Sequence, residues 1–379
     1  MSASRTVEAL LTRLRSPKNV RSPLVFWTVL VLVFMATFII SSFPLRLYTP
    51  TVGFQLRQHR QLPKPRPVSP VVTPAGSSVI EGTYHRVVVV GDLHGDLDRL
   101  RSVLRAAQVL DEVTDSWRDG CTDILVQLGD VVDRGPDAPA LLQLLHRLRT
   151  EAAKAGGQVV TLSGHHEMLA LMGSTSDIHP SLLEGSSGSL GFRHLYGVGG
   201  RYGRMLVEDN LAAVLIGDVV YVHGGLTATY AAYGMEQLNN ELWYQGLMAA
   251  SLSKHVFHSP DSPLRDRSIV AAAMQSNCGP LDEALRALSK KEGITVGAMV
   301  VGHSVMEKGK VGSWCNGRLV SADVGLSRYI EGGGYEAYVT VDPYVAPEKG
   351  KRARKTVSTA SRIHAHYPLG SGVRVPSNT

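Results

Sequence analysis

Aspartate and histidine residues recur beside glycine at the ends of short apolar runs, and both residue types are common ligands of divalent metal ions. Five such segments follow one another along the chain, and they read GDLHGD, GDVVDRG, GHHE, HGG and GHS. One segment alone would be weak evidence, because a single histidine at a strand end is more often structural. The five together predict a metal centre. Its candidate residues are Asp92, His94, Asp130, His166, His223 and His303.

Mixed carboxylate and imidazole ligands suit borderline divalent ions such as manganese, iron or zinc. Two ions about 3.5–4 Å apart can clamp the attacking and leaving oxygens of an in-line displacement. Such a pair needs one carboxylate between the ions, and Asp130 has the right place in the order of segments for this role. A hydroxide shared by the ions would be the nucleophile, because metal binding lowers the pKa of water toward neutrality. The pattern therefore predicts two-metal hydrolysis.

Short β-rich runs alternate with amphipathic helical patterns between about residues 84 and 345. The predicted strands are RVVVVGD, DILVQLGD, QVVTLSG, DVVYVHGG, AMVVGHS, RLVSADVG and EAYVTVD, and the predicted helices include DLDRLRSVLRAAQVL, PDAPALLQLLHRLRTEAAKA and GPLDEALRALSKKEG. This alternation is typical of an α/β layered sandwich, in which loops at the strand ends carry the chemistry. We expect two strand-rich halves, the second starting near residue 211, to meet at the site.

The segments GDLHG, LGDVVDRG, GHHE, HGG and GHS resemble the five signature blocks of the phosphoprotein phosphatases, a group of serine/threonine phosphatases within the calcineurin-like metallophosphoesterases. The resemblance covers roughly residues 85–345. Through YVHGGL, VVGHSV and SADVGLS the chain is most similar to the bacterial-like Shewanella-type phosphatases. The resemblance implies a four-layer α/β/β/α fold, with a central β-sandwich flanked by helices and the metals at the carboxyl ends of the strands.

The resemblance also implies which residues hold the two divalent ions, which would be manganese, iron or zinc. Asp92 and His94 would bind the first metal. Asp130 would bridge the two ions. His223 and His303 would bind the second metal.

Three further residues would act on the phosphate by the same resemblance. Arg134 would hold phosphate oxygens, which the guanidinium fork matches in geometry. His166 would be the general acid that protonates the leaving oxygen, oriented by Asp133. A carboxylate partner fixes the tautomer of an imidazole and raises its pKa. The neighbouring Glu167 is interpreted as a structural group rather than a catalyst.

His165 departs from the family pattern, whose third block normally has asparagine at this position as a ligand of the second metal. The Nδ1 atom of histidine lies as many bonds from the backbone as the amide oxygen of asparagine. Nδ1 of His165 could therefore replace that oxygen as a ligand, with Nε2 free to donate elsewhere. The alternative is a displaced ring that binds no metal.

Residues 173–208 lie between the third and fourth blocks, are rich in glycine and serine, and carry Arg193, His194, Arg201 and Arg204. The segment is either an insertion beside the active centre that shapes substrate choice or a solvent-exposed connection. Arg201 or Arg204 is a candidate for a second phosphate contact.

Three functions fit these residues. The first is a phosphatase acting on phosphoserine, phosphothreonine or phosphotyrosine in proteins, or on a small phosphoester. The second is a hydrolase of diadenosine polyphosphates or other nucleotide pyrophosphates. The third is a non-catalytic, phosphatase-like domain that tethers partners at a membrane. Only the departure from the family pattern at His165 favours this third function.

The ends of the chain differ in composition from its centre. Residues 1–23 are basic, and residues 24–43 form an uncharged apolar run of about the length that spans a bilayer core. We expect an uncleaved, single-pass membrane anchor in preference to a cleaved signal peptide. The proline-rich residues 44–83 are a predicted linker, and the basic residues 346–379 are a predicted disordered tail.

The net charge of +6 lies largely in these end segments, so no nucleic-acid partner is expected. The three cysteines, Cys121, Cys278 and Cys315, suggest no disulfide framework, because their number is odd and no CxxC pair occurs.

Overall fold

The computed structural model describes residues 78–80, 84–240, 256–343, 358–368 and 370–374. All of these residues belong to one compact unit, Arg66–Thr379. Within this described part, no helix combines the length and the hydropathy that a membrane crossing needs. The predicted anchor at residues 24–43 lies outside the described residues and stays a prediction.

The first sheet has seven strands in the order β13-β12-β11-β2-β3-β4-β5. Strands β2 to β5 are parallel to one another, whereas β11 to β13 are antiparallel to their neighbours. Because β2, β3 and β4 point the same way, the loops that follow them lie at one edge of the sheet. The strands are β2 (Val87–Val90), β3 (Ile124–Gln127), β4 (Gln158–Leu162), β5 (Asn210–Leu211), β11 (Tyr338–Val341), β12 (Ile363–Tyr367) and β13 (Gly370–Arg374).

The second sheet has six strands in the order β1-β6-β7-β8-β10-β9. Its central strands β7, β8 and β10 are parallel, so the loops that follow them also share one edge. One hydrophobic core includes residues of both sheets. The strands are β1 (Val79–Ile80), β6 (Ala213–Ile216), β7 (Val219–Val222), β8 (Ala298–Val301), β9 (Gly312–Trp314) and β10 (Leu319–Ser321).

Helices pack on the sheets through buried positions spaced three or four residues apart. In α1 the buried residues are Leu100, Val103 and Leu104, and the helix begins where the Asp96 carboxylate accepts a hydrogen bond from the Arg99 N–H. The helices are α1 (Leu97–Ala106), α2 (Ala138–Ala155), α3 (His165–Leu171), α4 (Pro180–Gly185), α5 (Gly188–Tyr196), α6 (Arg201–Asp209), α7 (Ala228–Ala231), α8 (Gly234–Glu236), α9 (Ser268–Met274) and α10 (Gly279–Glu292).

The predicted α/β fold is confirmed, because all seven predicted strands and all three predicted helices are present. Two predicted boundaries are wrong. Val79–Ile80 were assigned to the linker, but they pair with β6 in the second sheet. The tail was predicted to be disordered, but residues 363–367 pair with β11 in the first sheet. In this strand apolar Ile363 and Ala365 are buried and alternate with partly exposed histidines, which is the period of a strand with one buried face.

Two cysteines form a disulfide bond, contrary to the sequence interpretation. Cys278, just before α10, is joined to Cys315, in the turn between β9 and β10, with a Cα–Cα distance of 5.8 Å. The two residues are 37 positions apart, so only the tertiary structure brings them together. Cys121 is a buried free thiol.

Candidate metal centre

The candidate metal residues of the first sheet all follow strands that end at the same edge. Asp92 and His94 follow β2, and Asp130 follows β3. His165 and His166 open α3, directly after β4. The parallel strand order therefore places these five side chains side by side.

The second sheet contributes the remaining two histidines in the same way. His223 follows β7 and His303 follows β8, which is the parallel neighbour of β7. Nε2 of His223 lies 3.2 Å from Oδ2 of Asp130, so the strand ends of the two sheets meet at this carboxylate. The rings of His223 and His303 have centroids 5.0 Å apart.

The loops around the site have unusual backbone conformations. Twelve described residues that are not glycine have positive φ angles between 40° and 70°, and five of them are candidate site residues: His94, Asp130, Asp133, Arg134 and His303. This left-handed region is unfavourable for side chains other than glycine, and such residues cluster at functional sites. The loops therefore hold these side chains in directions that an ordinary backbone would not provide.

Glu167 holds the loop that carries Asp130. Its buried carboxylate accepts hydrogen bonds from the N–H groups of Gly164, Asp130 and Val131, at 2.7 to 2.8 Å, and from Val132 at 3.2 Å. Four backbone donors on one carboxylate fix the path of the chain on both sides of Asp130. The structure thus places Glu167 in the structural role that was predicted for it.

Two groups of side chains offer ligand atoms within 4.8 Å of one another, and Asp130 belongs to both. One group comprises Asp130, His165, His223 and His303, and the other comprises His94, Asp130 and His166. Asp92 lies outside both groups, although its carboxylate oxygens are 3.9 Å from Nε2 of His94 and from Nδ1 of His223.

These residues fit a pair of divalent cations. Oδ2 of Asp130 is buried and receives no hydrogen bond within the described residues, although it faces the ring nitrogens of His165 and His223. A buried carboxylate oxygen among imidazole nitrogens is well suited to a bridging cation. The geometry supports the predicted ligand set, whose metal-binding role stays a prediction.

His165 has the geometry expected for a substitute ligand. Its Nδ1 atom lies 3.0 Å from Oδ2 of Asp130 and 3.4 Å from Nε2 of His223. Its ring centroid is 4.5 Å from that of His303. The ring therefore points into the centre, and the alternative of a displaced ring receives no support.

Burial and mutual charge interactions shift the pKa values of these groups. Burial lowers the pKa of His94 to about 3 and, together with the nearby charge of His223, lowers that of His303 to about 2. Both imidazoles are therefore neutral at physiological pH, as metal binding requires. Burial also lowers the pKa of His223, but Asp130 and Asp92 outweigh this effect and raise it to about 9, so a cation would have to displace a proton from this ligand. Burial opposes ionisation of Asp130, but the charges of His223 and His165 keep its pKa well below the ordinary value. Burial raises the pKa of Asp92 well above its ordinary value, and the neighbouring charge of Asp323 adds to this effect.

The predicted proton donor and phosphate-binding residue lie beside the centre. Nδ1 of His166 is 2.8 Å from Oδ2 of Asp133, while its Nε2 is buried and has no hydrogen-bond partner in the described part of the chain. Burial lowers the pKa of His166, but Asp130 and Asp133 outweigh this effect and raise it to about 9. Arg134 is exposed, and its backbone N–H donates to the carbonyl oxygen of Asp177 at 2.7 Å.

Residues 173–208 fold into helices α4, α5 and α6 and contact the site at their beginning, through Asp177. Tyr196 of α5 is buried, and its pKa is raised by burial and by the neighbouring charges of Tyr202 and Asp133. The segment therefore lies beside the active centre, as one of the two interpretations expected. Aromatic contacts within it join Phe192, Tyr196 and Tyr202.

The basic residues of the segment 173–208 make their contacts away from the candidate metal residues. Arg193 donates to the carbonyl oxygen of Gly173, and His194 and Arg204 are exposed. Arg201 is also exposed and lies over the ring of Tyr202, with 5.4 Å between its guanidinium carbon and the ring centroid. None of these four contacts a candidate metal residue in the described structure.

Two other arginines flank His303, and the sequence interpretation missed both. Nε2 of His303 lies 3.0 Å from the carbonyl oxygen of Arg265, and Nη2 of Arg267 lies 3.5 Å from Nδ1 of His303. Between them, the Asp266 carboxylate accepts hydrogen bonds from the side chain of Ser268 and the N–H of Ile269 at the start of α9. No local sequence signal marks either arginine, because both lie more than 30 positions before His303 and only the fold brings them to it.

The chain is similar in sequence to known protein phosphatases. The chain is 28% identical over 288 residues to Shewanella-like protein phosphatase 2 of Arabidopsis thaliana, a match that covers 64% of this chain and 72% of that protein. It is 26% identical over 272 residues to Shewanella-like protein phosphatase 1 of Plasmodium berghei, which covers 68% and 72%. These relatives confirm the predicted Shewanella type.

Solved structures show the same fold. A cold-active protein-tyrosine phosphatase of a psychrophilic Shewanella species matches with a TM-score of 0.59 at 19% identity, over 80% of this chain and 85% of that one. Residues 85–307 match the family model described as calcineurin-like phosphoesterase, which is more than half of the chain. The chain therefore belongs to the calcineurin-like phosphoesterase family and is a metal-dependent phosphoester hydrolase.

Proposed function

We propose that this protein is a metal-dependent phosphoprotein phosphatase that hydrolyses phosphoserine and phosphothreonine, with phosphotyrosine as a further substrate. One observation carries the proposal. The carboxylate of Asp130 is shared by two groups of potential ligand atoms, and the His166–Asp133 pair and Arg134 lie directly beside it. The similarity to two Shewanella-like protein phosphatases supports the substrate class.

The ligand set proposed for the second cation is one of the two groups of side chains. The set proposed for the first cation follows the family resemblance, because Asp92 lies outside both groups and His166 is assigned as the proton donor. Asp92, His94 and Asp130 would hold the first cation, and Asp130 with three histidines, His165, His223 and His303, would hold the second. When bound, two such cations supply positive charge that polarises a phosphoryl group and activates water.

The chain's own residues supply substrate orientation and a proton. The exposed guanidinium of Arg134 would hold two phosphoryl oxygens, which orients the phosphorus atom over Asp130. Nε2 of His166, which has no partner among the described residues, would donate its proton to the leaving oxygen of the serine or threonine side chain. Asp133 at Nδ1 keeps that imidazole protonated and fixed in orientation.

A comparison of two substrates tests this proposal on the full-length chain. Turnover of a phosphoserine or phosphothreonine peptide and of a dinucleoside tetraphosphate is measured after loading with manganese, iron, zinc or magnesium. We expect metal-dependent hydrolysis of the peptide and loss of that activity in Asp130→Asn. Faster turnover of the dinucleotide would support the nucleotide pyrophosphatase, and a purified chain that binds no transition metal would support the non-catalytic tether.

We further propose that residues 24–43 anchor the protein in a membrane. The support is the length of the uncharged run and the basic residues on both sides of it. Alkaline carbonate extraction of cell membranes tests this, and the expected result is retention of the full chain but release of a variant that lacks residues 1–43. Release of both forms would contradict the anchor.

A further inference from the structure

A third buried carboxylate, that of Asp323, lies beside Asp92, belongs to neither group of potential ligand atoms, and has no role in the function proposed above. Asp323 follows β10, the parallel neighbour of β8, and only 1% of its surface is exposed. Its carboxyl group is a direct electrostatic neighbour of that of Asp92. The backbones also touch, because a Cβ atom on Gly91 would lie 3.1 Å from Cα of Asp323.

The two oxygens of Asp323 have different environments. Oδ1 accepts a hydrogen bond from the N–H of Gly325 at 3.1 Å. Oδ2 is buried and receives no hydrogen bond within the described residues. A buried oxygen without a donor is costly, and a second carboxylate beside it adds repulsion. A cation between Asp92 and Asp323 would remove both penalties.

The composition of the two cation positions also differs. The second position is surrounded by three imidazoles, of His165, His223 and His303, and by one carboxylate. The first position has one imidazole from the predicted ligand set, that of His94, and two carboxylates. Asp323 would raise the number of carboxylates at the first position to three. Oxygen-rich sites favour magnesium and manganese, whereas imidazole-rich sites suit zinc and iron.

We propose that Asp323 is a direct ligand of the first cation, bound through Oδ2 beside Asp92, and that it makes this position selective for an ion that favours oxygen ligands, such as Mn²⁺. The inference rests on the proposed function only in requiring that the centre binds two divalent cations. The centre is then asymmetric, with an oxygen-rich and a nitrogen-rich position that share Asp130.

Asp323→Asn in the full-length chain tests the proposal, because asparagine has nearly the same shape and can still accept from Gly325. Both proteins are first freed of metal with a chelator and are called the chelated proteins below. They are then titrated with Mn²⁺ and with Zn²⁺ by calorimetry, and bound metal is counted by mass spectrometry. We expect the variant to bind one Mn²⁺ tightly and the other more than about 100-fold more weakly than the wild type, because loss of a residue that only orients a ligand costs about 10- to 100-fold. The loss should be smaller for Zn²⁺. Asp123→Asn, a buried aspartate before the start of β3, is the matched control and should keep both ions.

Thermal unfolding provides a second readout. Without metal, Asp323→Asn removes one of two adjacent buried carboxylates, so the chelated variant should unfold at the same or a higher temperature than the chelated wild type. Stabilisation by Mn²⁺ should be smaller than in the wild type. A purely structural role for Asp323 would instead lower the unfolding temperature of the chelated protein and leave the Mn²⁺ effect unchanged.

The outcomes separate this inference from the proposed function. If the wild type binds no cation, the proposed function is wrong. If the wild type and Asp323→Asn both bind two Mn²⁺ with equal affinity, only the role of Asp323 is wrong. Asp323→Ser serves as a second variant, and failure of both variants to fold without metal would also contradict the proposal.

Discussion

Nδ1 of His166 lies 2.8 Å from Oδ2 of Asp133, and both side chains are buried. The carboxylate, with Asp130, raises the pKa of the imidazole to about 9 despite its burial. Asp133 therefore stabilises the protonated form that a general acid needs. Removal of this carboxylate lowers the pKa, so the proton donor is lost at a lower pH.

Asp133→Asn is expected to reduce kcat about 100-fold and to move the alkaline limb of the kcat–pH profile about one unit toward lower pH. The measurement is a pH profile of phosphopeptide hydrolysis at saturating substrate. Asp137→Asn changes the same residue type four positions later and should leave the profile in place. An unshifted alkaline limb in Asp133→Asn would show that His166 is not the proton donor.

Arg134→Ala tests the phosphate contact. Hydrogen bonds to a charged group contribute about 1.5–3 kcal/mol, so kcat/KM should fall about 10- to 100-fold. Bound metal, counted in the purified protein, should be unchanged because the guanidinium holds phosphate rather than a cation. Arg201→Ala is the control, since this exposed arginine lies over Tyr202 rather than at the centre. Equal losses in the two variants would argue against a specific contact at Arg134.

His165 is expected to be replaceable by asparagine but not by alanine. Nδ1 lies 3.0 Å from the shared carboxylate oxygen of Asp130, and the amide oxygen of asparagine can reach the same position. His165→Asn should keep two cations per chain, whereas His165→Ala should bind the second cation at least about 10-fold more weakly. Metal titration of the chelated proteins measures both. A many-fold rise of activity in His165→Asn at unchanged metal content would contradict a ligand role for the histidine.

Glu167→Gln should destabilise the fold without removing any atom of the centre. The carboxylate accepts four backbone N–H groups, and an amide would turn its own N–H₂ group toward some of these donors. The free energy of unfolding in urea should fall by about 2–3 kcal/mol. Glu151→Gln is the control, because this carboxylate accepts the N–H of Trp117 but is partly exposed, and it should lose about 1 kcal/mol or less. Similar losses in both variants would mean that Glu167 has no special role in the loop.

The positions that local patterns define were predictable from the sequence. Asp92, Asp130 and His223 stand at the ends of strongly apolar runs, and parallel strand order brings such ends together. Asp323 also follows a predicted strand, but its partner Asp92 is more than 200 positions away, and nothing local marks the contact. Arg265 and Arg267 lie in a loop whose approach to His303 depends on the packing of α9.

The tail was misjudged for a different reason. Its basic composition is typical of disorder, and the alternation of apolar and polar residues that indicates a strand is short. The buried ion pair between Arg362 and Asp218 forms only when the sheets are in place. The disulfide between Cys278 and Cys315 was missed because spacing along the chain carries no information about a pair that only the fold brings together.

The return of the C-terminal strands to the first sheet limits where the chain can be cut. A fragment that stops near residue 345 would lose β12, which would expose the edge of β11 to strand addition by another molecule. It would also leave the buried carboxylate of Asp218 without its arginine. Recombinant fragments of the hydrolase should therefore extend from residue 78 to at least residue 374, and a purification tag belongs beyond that point.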